Sequence, residues 1–168
     1  MTVVDSKSPK DQEKLEKLSL LQSSPLFADL HTEEIELLCD LCQSLPYAAG
    51  EVIVLEGEVG DSVYIVESGE ACALRVDSEG QEQPVAVLRR GQFFGEMSVI
   101  ERSTRSATVK ANTECRILTL SSDDLYSFAR IFMNGFTLVV INVSRTLSER
   151  LRATTGHLLQ RRPLDEPK

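Results

Sequence analysis

No run of apolar residues in this chain approaches the roughly 18 that a membrane-crossing helix requires. The opening MTVVDSKSPKDQEK also lacks the apolar stretch of a secretory signal. The expectation is a cytoplasmic protein with no membrane contact. Positive charge is scarce as well: 18 Lys and Arg stand against 26 Asp and Glu, a formal charge of -8. Nucleic acid and anionic lipid draw their sequence-independent affinity from Lys and Arg, so direct DNA binding is not expected. Histidine is scarcer still. His31 lies in the N-terminal lead-in and His157 in the last helix, so the β region holds no imidazole with which a metal-dependent barrel enzyme would bind its ion. No catalytic residue, metal site or cofactor is expected.

The four cysteines, Cys39, Cys42, Cys72 and Cys115, are read as reduced core residues. Cys39 and Cys42 form a C-x-x-C, but a second pair that would complete a zinc site is missing. With 168 residues and 42% hydrophobic content, the chain suits one domain with an ordinary core.

Residues 1–14 are polar and predict a flexible tail. Leu15, Leu18, Leu21, Leu30, Ile35, Leu38 and Leu41 recur at helical spacing, which predicts N-terminal helices over 15–45, the second capped by Thr32. After Pro46 the segments EVIVLEG, SVYIVESG, EACALRV and PVAVLRRG are short, rich in Val and Ile, and punctuated by glycine. They predict a β-roll over 46–120, with later strands at Ser106 to Ala111 and Cys115 to Leu120. With no helical crossover between strands, a parallel sheet is excluded. The fold class is mainly β with flanking helices: an antiparallel jelly-roll β-barrel with N-terminal helices, a short phosphate-binding helix inside the barrel and a long C-terminal helix. Helices cover 121–161, the first capped by Ser121 or Ser122 and the second running from Asn134 to Gln160. Along it Phe136, Val140, Val143, Leu147, Leu151, Thr154 and Leu158 form one stripe, fit to cover the barrel or to join a second copy. Residues 162–168 are a tail.

The chemistry gathers in GEMSVIERSTRSATV, residues 95–109. Gly95 lets a ligand approach the backbone, and the turn of helix after it offers unpaired N–H groups to an anion. Arg105 supplies a planar fork for two phosphate oxygens. Glu96 would repel a phosphate, but it suits a sugar hydroxyl beside one. A plain surface ion pair between Glu96 and Arg105 is the alternative reading of these residues.

FFGEMSVIERSTRSATVKA resembles the phosphate-binding cassette of the cyclic-nucleotide-binding domain family, and EGEVGDSVYIVESGEA fits the same pattern. The resemblance spans about Leu18 to Leu159. It implies a ribose-binding Glu96, a phosphate-binding Arg105 and a cassette glycine at Gly95, with Met97, Ser98, Ser106 and Ala107 also lining the ligand. Arg102 and Thr104 stand where relatives carry Gly and Pro, implying a less tightly turned loop. SERLRATTGHL resembles the last helix of the catabolite-activator branch. By that likeness Arg150 pairs with the ribose carboxylate, and Thr154 and Thr155 take the base amino group, one of the two from the partner subunit. The implied ligand is cAMP, with cGMP or another cyclic nucleotide as the alternative. The implied partners are a second copy, joined through the C-terminal helix, and an unidentified downstream protein that receives the signal. A ligand-free interaction module of the same fold is the other reading. A DNA-reading helix-turn-helix is not expected, because only eight residues follow Gln160.

Overall fold

The computed structural model of the chain describes residues 8–101 and 103–161, with side chains other than those of Pro9, Ser98, Glu101 and 156–161. Two four-stranded antiparallel sheets pack face to face, with helices against one of them. Helix α1 (Pro9–Ser23) leads through a 3₁₀ turn, Pro25–Phe27, to α2 (Thr32–Leu41). Strands β1 (Gln43–Tyr47), β2 (Val52–Val54), β3 (Ser62–Ser68), β4 (Glu70–Val76), β5 (Glu82–Arg89) and β6 (Phe93–Phe94) precede the short α3 (Glu96–Glu101). Then come β7 (Thr108–Ala111), β8 (Cys115–Ser121), α4 (Ser122–Ile131) and α5 (Met133–Arg161).

The first sheet has the order β1-β8-β3-β6 and the second β2-β7-β4-β5. The predicted jelly-roll character and antiparallel pairing are present. The roll is a sandwich of two sheets, however, and not a closed barrel: β1 and β6 border one sheet, β2 and β5 the other. The first sheet is buried on both faces. Ile117 and Val66 point between the sheets, to Val54, Leu88, Phe94 and Val109. Ile65, Leu118 and Leu120 point outward, to Leu21, Leu38 and Phe128 of the helices. Each fully buried side chain of this kind contributes about 1.5–3 kcal/mol, so this doubly covered sheet is the stable centre of the molecule. The outer face of the second sheet is bare, with Val85 57% exposed.

Several boundaries depart from the expectations above. Helix α1 begins at Pro9, six residues before Leu15, because Ser8 and Asp11 form a capping box whose signal is polar and resembles a tail. Residues 1–7 and 162–168, both expected as tails, lie outside the described residues. The cap of α2 is His31 and not Thr32: Glu34 Oε2 accepts from the His31 backbone N–H at 2.7 Å. Residues 43–45, expected as the end of a helix, belong to β1. That strand tolerates Pro46 because it lies at a sheet edge, where one row of N–H groups needs no partner. Ser121 caps α4, its Oγ accepting from the Asp124 N–H at 3.1 Å. Helix α5 begins one residue before the expected Asn134. Cys39 and Cys42 are buried and free, as packing residues would be.

The stripe expected along α5 is only partly the packed face. Val139 and Val143 are in the core, with Phe136 and Leu147 against it, but Leu151 is 69% exposed and Thr154 is exposed. Leu158 lies outside the described side chains. Between the packed residues sits Asn142, 2% exposed, whose Nδ2 donates to the carbonyls of Ala28 at 2.8 Å and Leu26 at 3.3 Å. It ties α5 to the turn that follows α1.

Candidate functional site

A cavity of about 130 Å³ opens on the second sheet, with an apolar floor of Val54, Ala73, Ala86, Leu88 and Val109. Across it stands the 95–107 segment. The floor is apolar because β2, β7, β4 and β5 each turn alternate side chains inward, and Ala73 and Ala86 face each other directly across the β4–β5 pair.

Gly95 sits at φ +81°, a conformation that strains any side chain, and an added Cβ would lie 2.6 Å from Arg105 Nη1 and 2.9 Å from the Ser62 carbonyl. The glycine is thus the space in which the guanidinium rests. Arg105 is 6% exposed and donates through Nη1 to the carbonyls of Ser62 and Gly95, both at 3.0 Å. Its Cζ lies 5.2 Å from the centroid of Tyr64, which stacks on Phe94 at 5.0 Å. One nitrogen is committed to holding the side chain in place. Its other donors are not buried without a partner; among the described residues that condition is confined to Glu56 Oε2. The backbone of Arg105 is fixed too, its N–H donating to Glu58 O at 2.8 Å and its carbonyl accepting from Gly57 N at 2.9 Å.

Glu96 opens α3 and is 3% exposed. Arg150, reaching in from α5, donates to its Oε1 at 2.9 Å and to the Phe93 carbonyl at 2.5 Å, its Cζ lying 5.3 Å from the Phe93 ring centroid. Burial pushes the Glu96 carboxyl above its usual range, a shift that the charges of Arg150 and Arg105 and its own backbone N–H oppose without cancelling. Two guanidiniums therefore face one carboxylate in the cavity wall. In a chain of charge -8 this is a local positive excess, suited to an anion.

The structure brings Gly95, Glu96, Met97, Arg105, Ser106, Ala107 and Arg150 to one cavity. Met97 is 37% exposed at its rim. Ser98 lies outside the described side chains and Arg102 outside the described residues. Thr104 forms a bridge with Val59. Thr154 and Thr155 are not brought in: both are exposed, and their hydroxyls donate to the Arg150 and Leu151 carbonyls of their own helix at 2.9 Å. Arg150 is the α5 residue in the described cavity wall. Sequence reasoning missed the carbonyls that anchor Arg105, the Tyr64 ring beneath it, and the alanine pair of the floor. The alternation of EACALRV and PVAVLRRG would have placed Ala73 and Ala86 on inward faces.

The family model of the cyclic nucleotide-binding domain matches residues 44–131, more than half of the chain and nearly the whole of the roll with its cassette. The chain belongs to the cyclic nucleotide-binding domain family. It is 34% identical over 132 residues to the cyclic AMP receptor protein of Thermus thermophilus, covering 79% of this chain and 59% of that protein. It is 37% identical over 105 residues to the cAMP-dependent protein kinase regulatory subunit of Emericella nidulans, covering 62% of this chain and 25% of the subunit. The chain thus spans about three fifths of the first relative and a quarter of the second. Among solved structures, a cyclic nucleotide-binding domain from Methylobacillus flagellatus superposes with a TM-score of 0.79 at 25% identity, over 93% of this chain and 88% of that one. The relatives are regulators and sensors, related to this chain through a binding domain. Among the described residues no helix is long and apolar enough to cross a membrane, and no group of three or more His, Cys, Asp or Glu could hold a metal ion.

Proposed function

We propose that this chain is a cytoplasmic, non-catalytic receptor for cAMP that passes its occupancy through α5 to a separate protein. The observation that carries the reading is the joint presence of Arg105 and Glu96 in one cavity wall. A cyclic phosphate takes the guanidinium fork and the backbone N–H groups of Ser106 and Ala107, while the ribose 2′-OH donates to Glu96. Met97 borders the sugar from the rim, and Ser98 is a further candidate contact by family likeness. Both relatives named above are called after cAMP, which favours adenine; cGMP is the alternative. A ligand-free interaction module would have no use for a buried carboxylate and a buried guanidinium facing the same space.

Arg150 links the site to its output. Ligand contact at Glu96 changes what Arg150 must hold, and Arg150 rides on the helix that Asn142 ties to the N-terminal segment, so the ligand biases how α5 is seated. A second copy docks along the exposed face of α5. There Thr137, Ile141, Ser144, Ser148, Leu151 and Thr155 follow one another at steps of four and three, the spacing of a helix-pair seam. In such a pair Thr154 and Thr155 would meet the base from across the seam.

Titration calorimetry with cAMP and cGMP, together with thermal unfolding, tests this reading. At a hundredfold excess over the dissociation constant, cAMP stabilises the domain by about 2.7 kcal/mol. Arg105→Ala abolishes that shift. Absence of any shift with both nucleotides would overturn the reading, and sedimentation as a monomer at micromolar concentration would overturn the seam.

A further inference from the structure

A second cavity, about 140 Å³, lies on the other side of α3 from the nucleotide site. Its floor is Phe27, Leu120, Val139 and Val143, all at most 3% exposed, and α3 contributes Val99. Glu96 is the one charged residue in its described wall, and its carboxylate is already held by Arg150. Ile100 and Tyr126, 51% and 41% exposed, stand where the lining reaches solvent.

A lining this apolar offers water few partners and favours apolar molecules. The charges around the opening narrow the class of occupant. A groove that shares Val99 and Tyr126 with the cavity is lined by Asp61 and Asp123. Glu96 is neutralised by Arg150, and an anionic head group at the opening would face the Asp61 and Asp123 carboxylates, with no Lys or Arg in the described lining of either cavity or groove. Fatty-acid and phosphate-bearing lipids are disfavoured on that ground.

We infer that the cavity between α3 and α5 is a binding site for a small uncharged apolar molecule, entered between Ile100 and Tyr126. The inference needs no assumption about the nucleotide site, since neither its occupant nor its entrance involves Arg105.

A matched pair of probes tests it on the whole chain in the absence of nucleotide. The chain has no tryptophan, so Tyr126→Trp at the mouth gives a single indole emitter. Energy transfer from that indole to neutral N-phenyl-1-naphthylamine should saturate at one probe per chain. The same skeleton bearing a sulfonate, 1-anilinonaphthalene-8-sulfonate, should bind at least about tenfold more weakly. Val139→Phe and Val143→Phe, which fill the floor, should each remove the neutral probe while leaving the far-ultraviolet circular dichroism unchanged. If the larger rings prevent folding, Val99→Phe on α3 serves in their place. Non-saturating transfer, equal binding of the sulfonate, or undiminished binding by a folded filled variant would overturn the inference.

Discussion

Arg150 of the long helix meets Glu96 of the short one at 2.9 Å, a contact between residues 54 apart in sequence, with the carboxylate 3% exposed and the guanidinium side chain 41% exposed. The pair is lopsided. Its acid is buried and its base reaches solvent, so burial outweighs the pairing and the Glu96 carboxyl sits above its usual range.

That direction fixes a pH dependence. A folded-state value raised above the unfolded one means that the contribution of Glu96 to stability is complete in acid and is lost as pH rises through the raised value. Glu96→Gln, which keeps an acceptor for Arg150 but cannot ionise, escapes that loss. In ligand-free protein the melting temperature of Glu96→Gln minus that of the parent should increase between pH 4 and pH 7, as differential scanning calorimetry would show; a constant difference contradicts the assignment. The same variant should bind cAMP about tenfold to a hundredfold more weakly, since a charged acceptor for the ribose hydroxyl becomes a neutral one.

Gly95 gives a second prediction. In Gly95→Ala the new methyl lies in the place of Arg105 Nη1 and against the Ser62 carbonyl, at a φ that an L-residue resists. The variant should lose about 1–3 kcal/mol of stability from backbone strain and should no longer respond to cAMP, because the guanidinium is displaced from its two carbonyls. Chemical denaturation with and without nucleotide measures both. A variant that keeps full nucleotide affinity would show that Arg105 does not need its present seat.

Thiol chemistry supplies a third. Burial pushes Cys42 up to about 12 and raises Cys39 and Cys72 as well, while the buried Cys115 donates to the Glu70 carbonyl at 3.1 Å. A thiol reagent at pH 8 should therefore find at most one prompt equivalent, Cys72, which is only half-buried. The remaining three should react only on unfolding. Cys72→Ser should abolish the prompt phase, whereas a prompt reaction in that variant would mean that the C-x-x-C at the end of α2 is accessible after all.

The cassette was legible in the sequence because its functional parts are local. Gly95, Glu96 and Arg105 lie within eleven positions, and their residue types reveal a backbone that must turn left-handed, an acceptor and a forked donor. Arg150 was legible only by likeness, since nothing in a helical SERLRATTGHL tells which of its residues turns inward. Thr154 and Thr155 were legible only by likeness too, and within one chain they lie outside the cavity lining. Thr154 stands one helical turn beyond Arg150, past the end of the cavity, and both hydroxyls donate to a carbonyl four residues back on their own helix. Asn142 was hidden for a different reason: a lone amide on an apolar face carries no signal until its acceptors, the carbonyls of Leu26 and Ala28, are known. The seating of Arg105 was similarly out of reach, for it depends on a carbonyl and a ring 41 or more positions away, at Ser62 and Tyr64.

The pairing of β1 with β8 has a consequence for how such a receptor can be used. Gln43 stands opposite Thr119, so the chain enters the roll and leaves it on adjacent strands, about 5 Å apart. Everything between those two points, floor, cassette and guanidinium, is closed off from the connections at either end. A segment with such neighbouring ends can be spliced into a surface turn of another protein without prising its host apart. Of the pocket lining only Arg150 lies outside residues 43–121, but so do the helices that cover Ile65, Leu118 and Leu120, so a graft that keeps the pocket folded and its reporting arm must take the flanking helices with it.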